Sequence, residues 1–274
     1  MEQNERLDFL IKAFLAESEE FRTLTVPKNE ADKRALLRSL MNIRMPNDLL
    51  PEVLSVQDDY LQECAREKGI VPVFDIRTVQ EAYRSEVPHA DVFAVWQGDI
   101  TRLQVDAVVN AANSEMLGCF IPMHSCIDNA IHTYAGVQLR EECAVQMEGL
   151  RARYGSSYTQ PTGVPMLTDA YNLPAEKVIH VVGPVVQGQL TRELEKELAD
   201  CYENTLDMCL QNDLRSVAFC CISTGVFHFP NRRAAEIAVE TCSRWLDEHE
   251  DQMGRIIFNV FKDEDKRIYE QMFK

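Results

Sequence analysis

The sequence predicts an α/β protein, a three-layer α/β/α sandwich behind a helical N-terminal extension, and three observations carry that prediction. From Asp91 onward, short apolar runs alternate with longer amphipathic stretches, as when strands alternate with the helices that cover them. Before Asp91 the apolar residues recur at helical spacing instead. The chain has 274 residues, 46% of them hydrophobic, which fits one domain plus an attached segment better than three domains.

Residues 3–16 place Leu7, Leu10, Ile11 and Phe14 on one helical face, and residues 30–43 do the same with Leu36, Leu37, Leu40 and Met41. Pro27 separates the two. A third helix is expected from about Leu49 to Arg66, ending near Gly69; IVPVFDI then reads as extended and residues 85–90 as a linker. The division is therefore a helical segment over 1–90 and a domain over 91–274. In the domain, the strands expected are Val92–Trp96, Ala107–Asn110, Gly163–Thr168, Val178–Val182, Ser216–Ile222 and Arg255–Val260. The helices expected between and after them are Ile127–Met147, Leu190–Asn212, Asn231–Glu248 and Asp265–Phe273. No internal repeat or low-complexity tract interrupts this order.

Charge and composition exclude several functions. A formal net charge of −16 without a basic block argues against nucleic acid as partner, because that binding needs clustered Lys and Arg to release counterions. A small diphosphate remains compatible, since backbone N–H groups and a helix N-terminus hold anions without net positive charge. No run of about eighteen apolar residues occurs, and the N-terminus is acidic where a secretory signal is basic. No membrane association and a cytoplasmic location are therefore expected. Nine cysteines, an odd count with Cys220 and Cys221 adjacent in an apolar run, read as core residues or metal ligands and not as disulfides.

Four segments follow predicted strands, where ligand sites gather in open α/β sheets: GDIT (Gly98–Thr101), NAANSEML (Asn110–Leu117), IDNAIHTYAG (Ile127–Gly136) and STGVFHFP (Ser223–Pro230). In this order they resemble the macrodomain family, over about Asp91 to Lys274. The resemblance implies a mixed central sheet and a site for ADP-ribose. It breaks where the hydrolytic branch usually carries a glycine run: GCFIPMHSC, Gly118 to Cys126, supplies Cys119, His124 and Cys126 as C-x4-H-x-C. Thiolates and imidazole suit Zn2+, and three protein ligands leave a fourth tetrahedral position open, as in catalytic sites. Spacing alone also allows a chance cluster of core cysteines with a surface histidine. The segment resembles the zinc-dependent macrodomain branch, which makes zinc the expected cofactor.

The resemblance implies roles for individual residues, each of which also has a plainer reading. Asp99 could merely cap a turn; its family counterpart accepts a hydrogen bond from the adenine amino group, with the Ile100 amide also on the base. Asn113 could cap a helix; by resemblance it faces the distal ribose and belongs to the catalytic pair with Asp128. Asp128 could be a favourable first-turn carboxylate; it holds the position of a catalytic aspartate, as general base, metal support or substrate orienter. Ser223, Thr224, Gly225, Val226 and Phe227 are the expected diphosphate cradle, helped by a helix starting near Asn231, with Phe227 near the distal ribose. His132, His180 and Trp96 read as packing residues, and His228 as a weak candidate beside the cradle.

The function this implies is zinc-dependent protein mono-ADP-ribosylhydrolase activity, removing ADP-ribose from acidic side chains. The branch resembled also implies a microbial setting with an ADP-ribosylating sirtuin and a lipoyl-carrier protein as the modified partner. A non-catalytic reader of ADP-ribose is the alternative, as is a purely structural zinc.

Overall fold

The computed structural model describes residues 1–274. Three helices open the chain: α1 (Gln3–Ala16), α2 (Glu30–Ile43) and α3 (Pro51–Lys68). Asn29 starts α2 by accepting from the Asp32 amide, and Pro51 opens α3 where its missing N–H costs nothing. Their apolar faces meet in a cluster of Leu7, Leu10, Ile11, Phe14, Leu37, Leu40, Met41, Tyr60 and Leu61, which Val137 joins from the domain. The expected extended stretch is short: β1 (Val71–Pro72) precedes a single 3₁₀ turn, and Thr78 and Glu81 then form a capping box that begins α4 (Val79–Tyr83).

The domain continues with β2 (Phe93–Gln97), β3 (Leu103–Gln104), β4 (Ala107–Ala112), α5 (Ile127–Ala135), α6 (Val137–Tyr154), β5 (Met166–Asp169), β6 (Lys177–Val182), α7 (Arg192–Gln211), β7 (Ser216–Phe219), α8 (Asn231–Glu248), β8 (Arg255–Val260) and α9 (Asp263–Phe273). The main sheet has the order β2-β8-β7-β4-β6-β5. Every neighbouring pair is parallel except β5 on β6, so the sheet is mixed. A separate two-stranded ladder joins β1 to β3. Helices α7, α8 and α9 pack together on the sheet, while α5 lies against β4, α6 against β5, and α2 and α3 pack on α5.

The strands are near-continuous apolar runs, as burial on both faces requires. Ile76 and Val79 join this larger core, so the chain is tied to the sheet before residue 91.

Besides that short extended stretch, the structure departs from expectation at β5, which begins at Met166 and not at Gly163, and in two further places. The single helix expected over Ile127–Met147 is two, broken at Gly136, whose φ of +100° is open to glycine and whose added Cβ would lie 2.6 Å from Gln138 Oε1. The strand expected to reach Ile222 ends at Phe219, because the chain turns there to present Ser223 at φ +64°. None of the nine cysteines is in a disulfide, and no helix is long and apolar enough to cross a membrane.

Candidate functional site

Because β2, β4 and β7 run parallel, their C-terminal ends open on one edge of the sheet, where side chains from distant parts of the chain converge. Beyond β2, Asp99 starts a 3₁₀ turn. Its Oδ1 accepts from the Thr101 amide (3.0 Å) and hydroxyl (2.6 Å), and its Oδ2 from Lys68 Nζ (2.9 Å). Burial would raise the Asp99 carboxyl, but the Thr101 bonds and the Lys68 ammonium outweigh it and hold it below the usual range. Lys68 Nζ also stands 2.9 Å from the centre of the Tyr134 ring. Ile100 is buried beside it. Lys68, at the end of α3, lies outside every sequence motif.

Beyond β4, Asn113 Nδ2 donates to the Gly118 carbonyl (3.1 Å) and reaches Asp128 Oδ2 (3.4 Å), while its Oδ1 accepts from the Glu115 amide (3.0 Å). Asp128, in the first turn of α5, is buried. Asn110 Nδ2 donates to its Oδ1 at 2.8 Å. Burial pushes the Asp128 carboxyl up to about 6, against the Asn110 bond and the Arg140 charge.

Asn110 and His180 are register partners on adjacent strands, so their side chains stand on the same face of the sheet. His180 Nδ1 lies 3.1 Å from Asn110 Nδ2 and Nε2 lies 3.0 Å from Thr168 Oγ1. Since the amide nitrogen donates, Nδ1 accepts and the proton sits on Nε2, toward Thr168. Burial alone drives the His180 imidazole down to about 3, so it is neutral. His132 is buried with both ring nitrogens unpartnered by hydrogen bonds, and its Nε2 is 3.5 Å from Asp128 Oδ1. The two packing histidines thus stand behind Asp128. Trp96 is half-buried, and its ring covers Gly98.

Cys119, His124 and Cys126 are brought together: one ligand atom from each lies within 4.8 Å of the others, and Cys119 Sγ is 3.5 Å from His124 Nδ1. All three are half-buried. Cys126 caps α5 by accepting from the Asn129 amide at 3.4 Å. Desolvation pushes its thiol up to about 11, with the Cys119 sulfur adding to the rise. This cluster could hold a metal ion, with Asp128 two residues along the chain.

Beyond β7, Ser223 is buried with its hydroxyl unpartnered. Thr224 Oγ1 donates to the Cys221 carbonyl (3.0 Å), Gly225 and Val226 are exposed, and the Phe227 carbonyl accepts from the Val186 amide (2.9 Å). A Cβ at Gly225 would meet nothing within 4 Å, whereas one at Gly183 would stand 2.1 Å from Ser223 Oγ. The tightest approach at this loop is therefore made by Gly183, in a Gly-Pro pair after β6 that lies outside every sequence motif. His228 is exposed at φ +58°.

A mixed sheet whose strand ends gather a glycine-bearing loop and a buried carboxylate is the arrangement of a macrodomain. The Macro domain family model matches residues 109–238. The chain belongs to the Macro domain family: it is 45% identical over 272 residues to a protein-ADP-ribose hydrolase of Treponema medium, covering 99% of both chains. It is 39% identical to a protein-ADP-ribose hydrolase of Staphylococcus aureus strain MRSA252, covering 98% of this chain and 95% of that one. Among solved structures, it resembles the Trypanosoma brucei macrodomain in complex with ADP-ribose, at 28% identity and a TM-score of 0.65, over 90% of this chain and 97% of the other.

Proposed function

We propose that this protein is a zinc-dependent protein mono-ADP-ribosylhydrolase that releases ADP-ribose from acidic side chains. The observation that carries the reading is the juxtaposition of Cys119, His124 and Cys126 with the half-buried Asn113 and the buried Asp128 that it reaches. The relatives named protein-ADP-ribose hydrolase, similar along nearly the whole chain, support the hydrolase class. Two thiols and an imidazole within 4.8 Å of one another suit Zn2+, at half-buried positions where a fourth ligand has room to approach. Zinc, when bound, would supply Lewis-acid polarisation next to the distal ribose.

The chain's own residues do the rest. Asp99 and Ile100 would take the adenine, and Ser223, Thr224, Gly225, Val226 and Phe227 the diphosphate, so that remote contacts orient the distal ribose. Asn113, tied to both Gly118 and Asp128, would fix the ribose hydroxyls against the carboxylate. Asp128, held in place by Asn110, would accept a proton from the attacking water and return it to the leaving oxygen, or orient the ribose. An acyl link to Asp or Glu is chemically easier to cleave than an N-glycosidic one, which favours acidic-residue substrates. A sirtuin-modified lipoyl-carrier protein is the first substrate to try. Nine free thiols suit a reducing compartment such as the cytoplasm. We further take segment 1–90 and domain 91–274 as one working unit.

The test is to measure zinc content, thermal stability and ADP-ribose release for the wild type and Cys119→Ser. Loss of zinc and turnover with the fold and ADP-ribose binding retained supports a catalytic metal. Loss of stability with turnover retained in the folded fraction makes the metal structural. A wild type that binds ADP-ribose and releases none from any modified protein is a reader.

A further inference from the structure

The N-terminal segment touches the candidate metal loop through a small set of polar side chains that pack for no apolar gain. Asn42, fully buried on α2, accepts from the Met123 amide with its Oδ1 (3.0 Å) and donates to Thr133 Oγ1 with its Nδ2 (2.9 Å). Met123 directly precedes His124 and has a φ of +57°, a left-handed conformation that a methionine adopts only when its surroundings hold it there. One turn earlier on the same face of α2, Arg38 Nη2 donates to the His124 carbonyl (3.1 Å) and to Asn129 Oδ1 (2.7 Å).

Asn129 completes the arrangement from α5. Its backbone amide points at Cys126 Sγ (3.4 Å), and its Nδ2 donates to the Ile121 carbonyl (3.0 Å) and reaches that of Cys119 (3.5 Å). It is fully buried, and Arg38 occupies its remaining oxygen. Asn129 therefore fixes Cys119 and Cys126, Arg38 fixes the backbone of His124, and Asn42 holds Met123, the residue just before His124. Two of these three come from the segment before the domain.

We propose that Arg38 and Asn42 are positioning residues for the metal site, so that the helical segment builds the zinc loop instead of merely covering the sheet. The inference rests on the zinc reading given above. Outer partners of this kind orient ligands before the ion arrives, and their loss typically weakens metal affinity by about 10- to 100-fold.

The experiment measures zinc affinity of the full chain by competition with a chromogenic chelator, for wild type, Arg38→Ala, Arg38→Lys, Asn42→Ala and Arg34→Ala. Arg34 lies on the same helix but pairs with Glu67 and Glu30 and bonds no residue of the loop, and so controls for loosening of the segment. ADP-ribose affinity and unfolding temperature are recorded alongside. Arg38→Ala and Asn42→Ala should each weaken zinc by about tenfold or more, with Arg38→Lys partly restored and ADP-ribose affinity unmoved. Should Asn42→Ala fail to fold, the Arg38 pair decides. Unchanged zinc affinity in the folded variants overturns the inference, as does an equal loss in Arg34→Ala. A wild type that binds no zinc overturns the zinc reading itself, and this inference with it.

Discussion

Gly183→Ala is the substitution whose consequence follows most directly from the geometry. The added methyl would stand 2.1 Å from Ser223 Oγ and 2.7 Å from Ile222 Cγ2, distances that packed atoms do not sustain. Ser223 has little freedom to yield, being buried, at φ +64°, and followed by a residue whose hydroxyl is tied to Cys221. Overpacking of this kind costs about 1–3 kcal/mol. If the displacement falls on the loop proposed to receive the diphosphate, the same energy corresponds to roughly 5- to 150-fold weaker ADP-ribose binding. Titration calorimetry with ADP-ribose measures it, with thermal unfolding as the stability control. Adding Ser223→Ala removes the shortest contact and should recover part of the loss. Gly225→Ala, with open space around its Cβ, should leave stability unchanged. An affinity for Gly183→Ala within twofold of wild type would refute the assignment of this loop to the ligand.

Three further outcomes are expected. Asn110→Leu removes the donor at 2.8 Å from a buried carboxylate; losing a hydrogen bond to a charged group costs about 1.5–3 kcal/mol, so kcat should fall at least tenfold with ADP-ribose affinity nearly kept, and an unchanged kcat would remove Asp128 from the mechanism. Asp99→Asn keeps an oxygen for Thr101 but removes the charge that faces Lys68, and calorimetry should show ADP-ribose binding about tenfold weaker; equal affinity would detach this residue from the adenine. His180, neutral with a pKa lowered to about 3, contributes stability fully present above its unfolded value of about 6.5 and lost as pH falls toward 3. Between pH 7 and pH 5 the wild type should therefore lose about 2 kcal/mol more than His180→Gln in urea unfolding, and parallel losses would contradict the buried neutral tautomer.

The sequence carried the fold well wherever local signals and burial agree. Arg255–Val260 is a β-branched and aromatic run with both faces buried, and Asn231–Glu248 has an unbroken helical stripe; both have the expected bounds. Gly136 sits between two helices whose apolar stripes run on in phase, so periodicity could not reveal the break; its need for positive φ could only be seen in three dimensions. The short helix after Thr78 has a signal in the sequence, T-V-Q-E, a capping box between the extended stretch and the linker.

At the site, contiguous motifs were visible and long-range partners were not. Asp99, Asn113, Asp128 and Ser223 stand in the four segments, and Cys119, His124 and Cys126 in the 118–126 stretch that joins two of them; the parallel strands gather them on one edge. Lys68, Arg38 and Asn42 reach the same edge from helices whose sequences look like ordinary amphipathic surfaces. Gly183 and His180 lay in an apolar strand and its exit, where a histidine reads as packing until its register partner, Asn110, is known.

The most direct test of the account is release of free ADP-ribose from a protein mono-ADP-ribosylated on acidic residues, with the purified protein assayed as isolated, after chelation, and after zinc is restored. Activity that disappears with the chelator and returns with zinc, while ADP-ribose binding and the folded state persist throughout, is the predicted result. Undiminished release from protein verified to be metal-free would contradict it.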